Sequence, residues 1–355
     1  MAKERMHSLP ETKGSFQVKG KISGVESSRF YTEKKTKNGN DFRAVNFGSE
    51  YDDKKTVYLN LNGMPQSDVY FSKRNADTGK TETKKVAWSN RNSFNEDGWR
   101  MIGVNLGIVR TIDSEGKEVN DKKTMHSFDA CEYIKKNLKD DASAFIRGNI
   151  EFSSYLDNEG NTRRSIKYVP NQISLCKEVD FEEYDDNNKP VHDFTQTIVF
   201  NEINKEQESG KDTGRFVVNA MVVTYSDVVN TEFIIEDAKL AGLFKKNLRP
   251  YTSISVHGKI VVSHKIEEFQ EEDGWGQANS MVSVSAPTKT EMIITGASPA
   301  TIDRDTYNEK NVSEAIAKIR NARMAEKNFG GKPNINIEVD EWGSGDSDED
   351  EDSPW

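Results

Sequence analysis

The chain has 355 residues, 34% hydrophobic and 30% charged, with a formal net charge of −10, a length that sets about two to three domains. No run approaches the roughly 18 apolar residues of a membrane helix, and the first residues lack the apolar core of a secretory signal. Only two cysteines, Cys131 and Cys176, and five scattered histidines occur, so a disulfide scaffold and a zinc cluster are excluded and a reducing, cytoplasmic setting is expected.

In chain order, short β-branched and alternating segments separated by turn residues predict a mainly β protein. The first group places strands at 16–26, 41–48, 56–62, 143–155 and 163–176. The second places them at 196–204, 214–225, 230–236, 252–264 and 280–295. A helix falls between the third and fourth strand of each group. The first opens near Ser127 as N-cap and the second near Asp237, and each ends in Lys-Lys-Asn-Leu, at 135–138 and 245–248.

The two helices reveal a repeat. SAFIRGNIEFS at 143–153 and SISVHGKIVVS at 253–263 share Ser143/Ser253, Gly148/Gly258, Ile150/Ile260 and Ser153/Ser263 at one offset of 110 residues. A shared tetrapeptide, spacing and strand pattern indicate a duplicated unit. Three strands, a helix and two strands describe an OB-fold, so the expected architecture is two OB-fold-like five-stranded Greek-key barrels. Glycines inside the strands suit small barrels whose strands bend or bulge.

The expected domains are an OB-fold domain over 1–177 with inserted hairpins at 64–126, a linker at 178–195, a second OB-fold domain over 196–297, a C-terminal helical segment over 298–332 and a disordered acidic tail over 333–355. Asn311 and Glu314 form a capping pair for the C-terminal helix, whose stripe Val312, Ala315, Ile316 and Ile319 docks on the second barrel or meets a partner. Nine of the 59 carboxylates lie between Glu338 and Asp352 with no Lys or Arg among them, so the body of the chain is close to neutral. A like-charged terminal block reads as a solvated interaction tail, and its end in Pro354 and Trp355 is unlike a segment that serves solubility alone.

Phosphate-loop, nucleophile-elbow and metalloprotease motifs are absent, so binding rather than catalysis is expected, with no cofactor and no metal. The first barrel interleaves aromatic and basic residues, the combination that single-strand binders use to stack bases and track phosphates. Phe30, Tyr31, Tyr58, Tyr70 and Trp88 are the expected stacking residues. Lys34, Lys35, Arg43, Lys73, Arg74 and Arg91 are the expected phosphate contacts. Phe42 and Phe47 read equally well as barrel core.

An OB-fold body followed by an acidic arm ending in Asp350-Glu351-Asp352-Ser353-Pro354-Trp355 resembles bacterial and bacteriophage single-stranded DNA-binding proteins. In the bacterial family the tip is Asp-Asp-Asp-Ile-Pro-Phe, which Asp350, Asp352 and Pro354 match, while Ser353 and Trp355 depart from it. The resemblance implies sequence-nonspecific binding of single-stranded DNA in phage replication, recombination and repair. It also implies a tip, Asp350, Asp352, Pro354 and Trp355, that recruits partner enzymes. Two barrels in one chain point to a bacteriophage version, monomeric or homodimeric. The competing expectation is an acidic DNA mimic or inhibitor that does not itself bind DNA; removing 338–355 would abolish its activity and spare a DNA binder.

Overall fold

A computed structural model describes residues 6–328, apart from 77, 157–161, 187, 209 and 265–287. The acidic tail and its tip, Asp350, Asp352, Pro354 and Trp355, therefore lie outside the described residues. Among the described residues the protein is mainly β, with three α-helices. The first set of long elements comprises β1 (Gly14–Ser23), β2 (Asp41–Asp52), β3 (Lys55–Gly63), α1 (Ser127–Asn137), β4 (Ser143–Leu156) and β5 (Thr162–Leu175). The second comprises β6 (Val191–Glu208), β7 (Lys211–Val223), β8 (Val228–Ile235), α2 (Ala238–Asn247), β9 (Thr252–His264) and β10 (Thr288–Asp303), followed by α3 (Glu309–Asn328).

In the first set, β1 pairs with β2, β2 with β3, β5 with β4 and β4 with β1, all antiparallel, and Tyr168 of β5 meets Leu59 of β3 in a parallel bridge. The second set follows the same order, with a parallel bridge from Ile234 of β8 to Ile293 of β10. Each set thus closes a circuit of five strands. The two circuits are joined edge to edge, because β1 and β6 pair antiparallel from Gly14↔Gln196 to Lys19↔Val191. One hydrophobic cluster runs through both, with Phe16, Ile146 and Ile173 on one side and Phe194, Phe233 and Ile260 on the other.

The repeat has a packing cause. Gly148 and Gly258 sit at the register shifts of β4 and β9. A Cβ at Gly148 would lie 2.0 Å from the Val169 carbonyl oxygen, and one at Gly258 would lie 1.8 Å from that of Ile293. Only glycine lets the backbones approach this closely. Asp141 and Tyr251, just before these strands, both adopt positive φ, 62° and 68°. The Asp141 amide donates to the Ile22 carbonyl at 2.9 Å, and that of Tyr251 to the Phe200 carbonyl at 2.8 Å. A left-handed turn into the fourth strand is therefore built twice, with the same hydrogen bond.

Several expected boundaries shift. The cap of α1 is His126, whose ring nitrogen accepts from the Phe128 amide at 3.2 Å, rather than Ser127; Asp237 caps α2 as expected. β6 begins at Val191 rather than 196, because the polar run Val191–Thr195 pairs with β1 and its His192 ring stacks on Tyr51 at 4.1 Å. β10 is described from Thr288 to Asp303 and so extends past the expected end at 295, keeping its pairing with β9, while 280–287 of the expected strand lie outside the described residues. The cap of α3 is Asn308, which accepts from the Asn311 amide at 3.0 Å, while the Asn311 side chain reaches back to the Thr306 carbonyl at 3.1 Å. The stripe of α3 docks on the second circuit: Val312 and Ala315 pack with Val199, Met221 and Val223, while Ile319 is also buried and Ile316 is partly exposed.

The inserted stretch between β3 and α1 holds short strands. Asp68–Arg74, Thr81–Ala87 and Arg100–Met101 form a separate three-stranded sheet. Val104–Gly107 pairs with Lys123–Met125 and extends the first circuit along β5, and Arg110–Ile112 forms a hairpin with Glu118–Asn120. A further strand, Tyr31–Lys35, folds back on β2.

Candidate nucleic-acid interface

Four of the aromatic and basic residues singled out from the sequence are drawn into a framework around α1. Arg43 donates from Nε to Glu33 at 3.0 Å and from Nη1 to Glu132 at 2.7 Å, and its guanidinium lies 4.1 Å from the Phe128 ring centroid. Arg91 clasps Asp129 with two bonds of 2.7 and 2.9 Å, donates to the Trp88 carbonyl at 3.0 Å, and stacks on the Trp88 ring at 3.9 Å. Trp88 is half-buried and meets His126 and Phe128 edge-on. Tyr31 donates to Glu33 at 2.9 Å beneath the Lys135 ammonium, and burial, with this bond next, pushes its phenol up to about 12. Hydrogen bonds from Arg43 and Tyr31 in turn hold the Glu33 carboxyl below the usual range.

These contacts give Arg43, Arg91, Trp88 and Tyr31 structural roles beyond the binding roles expected of them. Two acidic residues of α1, Glu132 and Asp129, claim the guanidinium groups, so these side chains fasten the helix to the hairpins. Phe30, expected to be exposed, is only 4% exposed and belongs to the core. Its neighbouring charges mislead because the chain turns inward there, with the Asn46 amide bonded to the Phe30 carbonyl at 2.8 Å. Phe42 and Phe47 are buried as well. Lys73 donates to the Asp97 carbonyl at 2.9 Å and so pins the next loop.

The three-stranded sheet presents a different surface. Along Asp68–Arg74 the odd residues Val69 and Phe71 pack into a small cluster with Val86, Phe94, Trp99 and Met101. Strand alternation sends Tyr70, Ser72 and Arg74 to the opposite, outward face. Tyr70 is 47% exposed and its register partner is Lys85; Ser72 faces both Thr83 and Arg100, and Arg74 faces Thr81. One exposed ring thus shares a face with three cations and three hydroxyl side chains. Among the described residues Arg74 and Arg100 have no ion-pair partner, whereas Lys85 pairs with Asp68 at 2.9 Å in an exposed contact. An exposed pair of this kind is held only weakly, so a phosphate can displace its carboxylate.

Of the expected site residues, the structure brings Tyr70 and Arg74 together and adds Lys85 and Arg100, which the sequence reading did not assign. The signal was present: the alternation of Asp68–Arg74 separates Tyr70 from Phe71, and Lys85 alternates with the cluster residue Val86 along Thr81–Ala87. Lys34 and Lys35 lie on the exposed hairpin, the first 5.7 Å from the Phe42 ring centroid and the second 3.2 Å from Asp41. Tyr58, 46% exposed, stands apart from the insert and lines a cleft between the two circuits.

Among the described residues no group of His, Cys, Asp and Glu is arranged to hold a metal ion, and no helix is long and apolar enough to cross a membrane. No curated protein matches the chain. Among solved structures, a deletion mutant of the single-stranded DNA binding protein from Thermus aquaticus is similar at 9% identity and a TM-score of 0.38, covering 81% of this chain and 94% of that one. The wild-type protein from the same organism is similar at 10% identity and a TM-score of 0.37, with 84% and 96% covered. The family model described as YorF matches residues 13–330, and the chain belongs to that family.

Proposed function

We propose that the protein binds single-stranded DNA without sequence preference, on the outward face of the three-stranded sheet, and that each five-strand circuit is an OB-type barrel. The barrel reading rests on strand order: first, second, third, fifth and fourth strands neighbour one another in sequence and the fourth returns to the first, with a helix before it. The observation that carries the binding site is Tyr70, an exposed ring flanked by Lys85, Arg100 and Arg74 on one face. A flat π face accepts any base, and the surrounding cations meet the phosphates, which gives affinity without base readout.

In this reading the protein works by binding, not catalysis, in the cytoplasm, and serves DNA replication, recombination or repair. The terminal residues Asp350, Asp352, Pro354 and Trp355 then serve to recruit partner enzymes. Titrating the full chain with fluorescent dT oligomers of several lengths at two salt concentrations tests the reading. Saturable binding that weakens with salt and depends on Tyr70 is expected. No binding, or binding indifferent to Tyr70→Ala, overturns it.

A further inference from the structure

We propose that the cleft between the two circuits receives a cationic side chain, a lysine or arginine of a partner protein. The cleft has a volume of about 350 Å³, and its walls come from β3 and β5 on one side and from β6, β7, β8 and β10 on the other. Val57, Ile166 and Met292 give it apolar walls, Tyr58 an exposed ring, and Glu206, Glu232 and Glu291 its charge. Lys289 is the only cation among the lining residues.

The three carboxylates are not equivalent. Glu291 is held by Arg215 at 2.7 Å and by Lys289 at 2.7 Å, and Glu206 accepts from Thr213 at 2.8 Å with Arg215 3.6 Å away. Among the described residues Glu232 has only the Arg164 guanidinium at 3.9 Å, a contact in which both side chains are at least half exposed. The rim therefore already draws one guanidinium from the facing circuit toward Glu232 without closing a hydrogen bond to it.

A second observation comes from the wall. Tyr168 is 6% exposed, and its hydroxyl has no hydrogen-bond partner among the described residues. A buried hydroxyl left without a partner costs about 1–3 kcal/mol, and a donor entering the cleft removes that cost. A lysine or arginine side chain supplies what these groups require: an aliphatic stem for Val57 and Ile166, N–H donors for Tyr168 and Glu232, and positive charge for the Tyr58 ring. The same carboxylates repel phosphate, so this cleft is separate from the proposed DNA-binding face.

The test uses the full chain and Nα-acetyl-arginine amide as probe, with Nα-acetyl-glutamine amide as its neutral control, followed by NMR or calorimetry. Saturable binding of the arginine probe alone is expected. Glu232→Gln should weaken it about tenfold, Tyr58→Ala about fivefold, and Tyr168→Phe, which removes only one oxygen, at least about threefold. Arg164→Ala should strengthen it, because a competing guanidinium is removed. Tyr70→Ala and saturation with a dT oligomer should leave it unchanged, so this proposal and the DNA-binding one fail separately. Absence of saturable binding, equal binding of the neutral control, or indifference to both Glu232→Gln and Tyr168→Phe overturns the inference.

Discussion

Phe16 and Phe194 are register partners across the β1–β6 pair, and each faces a glycine of its own circuit, Gly148 for Phe16 and Gly258 for Phe194. Equivalent positions of the two repeats therefore pair with each other, which places a pseudo-twofold axis between the two rings. Both rings are at most 2% exposed. The duplicated units are consequently joined through the core, with Tyr51 of the first circuit accepting from the Val262 amide of the second at 2.8 Å as a further tie.

The glycines make this geometry testable. Gly258→Ala puts a Cβ 1.8 Å from a backbone oxygen, which cannot move as a flexible side-chain end would. A loss of at least about 2 kcal/mol is expected in urea unfolding. Gly242→Ala on α2 is the contrasting change, since its Cβ would meet nothing within 4 Å. There a gain of about 0.5–1 kcal/mol is expected from helix propensity. Equal responses would show that the close approach at Gly258 does not matter.

The repeat was legible because its signals are local: a tetrapeptide at each helix end and a glycine at each bulge. The pairing of β1 with β6 was not, since nothing in Val191–Thr195 alternates cleanly and its His192 and Asp193 read as a polar linker. The candidate site divides in the same way. Tyr70 and Arg74 were readable as exposed because they alternate with Val69 and Phe71. The structural partners of Arg43, Trp88 and Arg91 were not legible, because Glu132, Phe128 and Asp129 lie far along the chain on α1 and residue type alone does not disclose a distant carboxylate.

Arg91→Ala is therefore expected to act on stability. Asp129 would lose two charge-assisted bonds in a half-buried setting, at a cost of about 2 kcal/mol. Denaturant unfolding should register this loss, while affinity of the folded protein for dT oligomers changes less than about threefold. A large loss of affinity with unchanged stability would return Arg91 to the binding surface.

The outward face of the inserted sheet separates stacking from charge. Tyr70→Ala should weaken DNA binding by about 1–3 kcal/mol and leave the salt dependence as it was. Arg74→Ala and Arg100→Ala should each reduce the slope of log K against log salt by about 0.7. Fluorescence titrations at several salt concentrations read both quantities. The assignment fails if Tyr70→Ala alters the slope alone, or if the arginine changes leave it untouched.

Acid should loosen the start of α1. Burial lowers the affinity of His126 for a proton, Arg91 lowers it further, and Asp129 opposes both, with a folded-state value below the ordinary one as the result. The Nδ1 atom must stay unprotonated to accept from the Phe128 amide. The unfolded chain takes up its proton near pH 6.5, so the cap contributes fully above that pH and is lost as pH falls toward the folded value. His126→Asn retains an acceptor at the cap but cannot titrate. Between about pH 7.5 and pH 5 the parent chain should lose up to about 1 kcal/mol more stability than the variant. The other acid-sensitive groups, His192 among them, are common to both chains and cancel in the difference. Parallel stability–pH curves would mean that the His126 ring does not cap the helix.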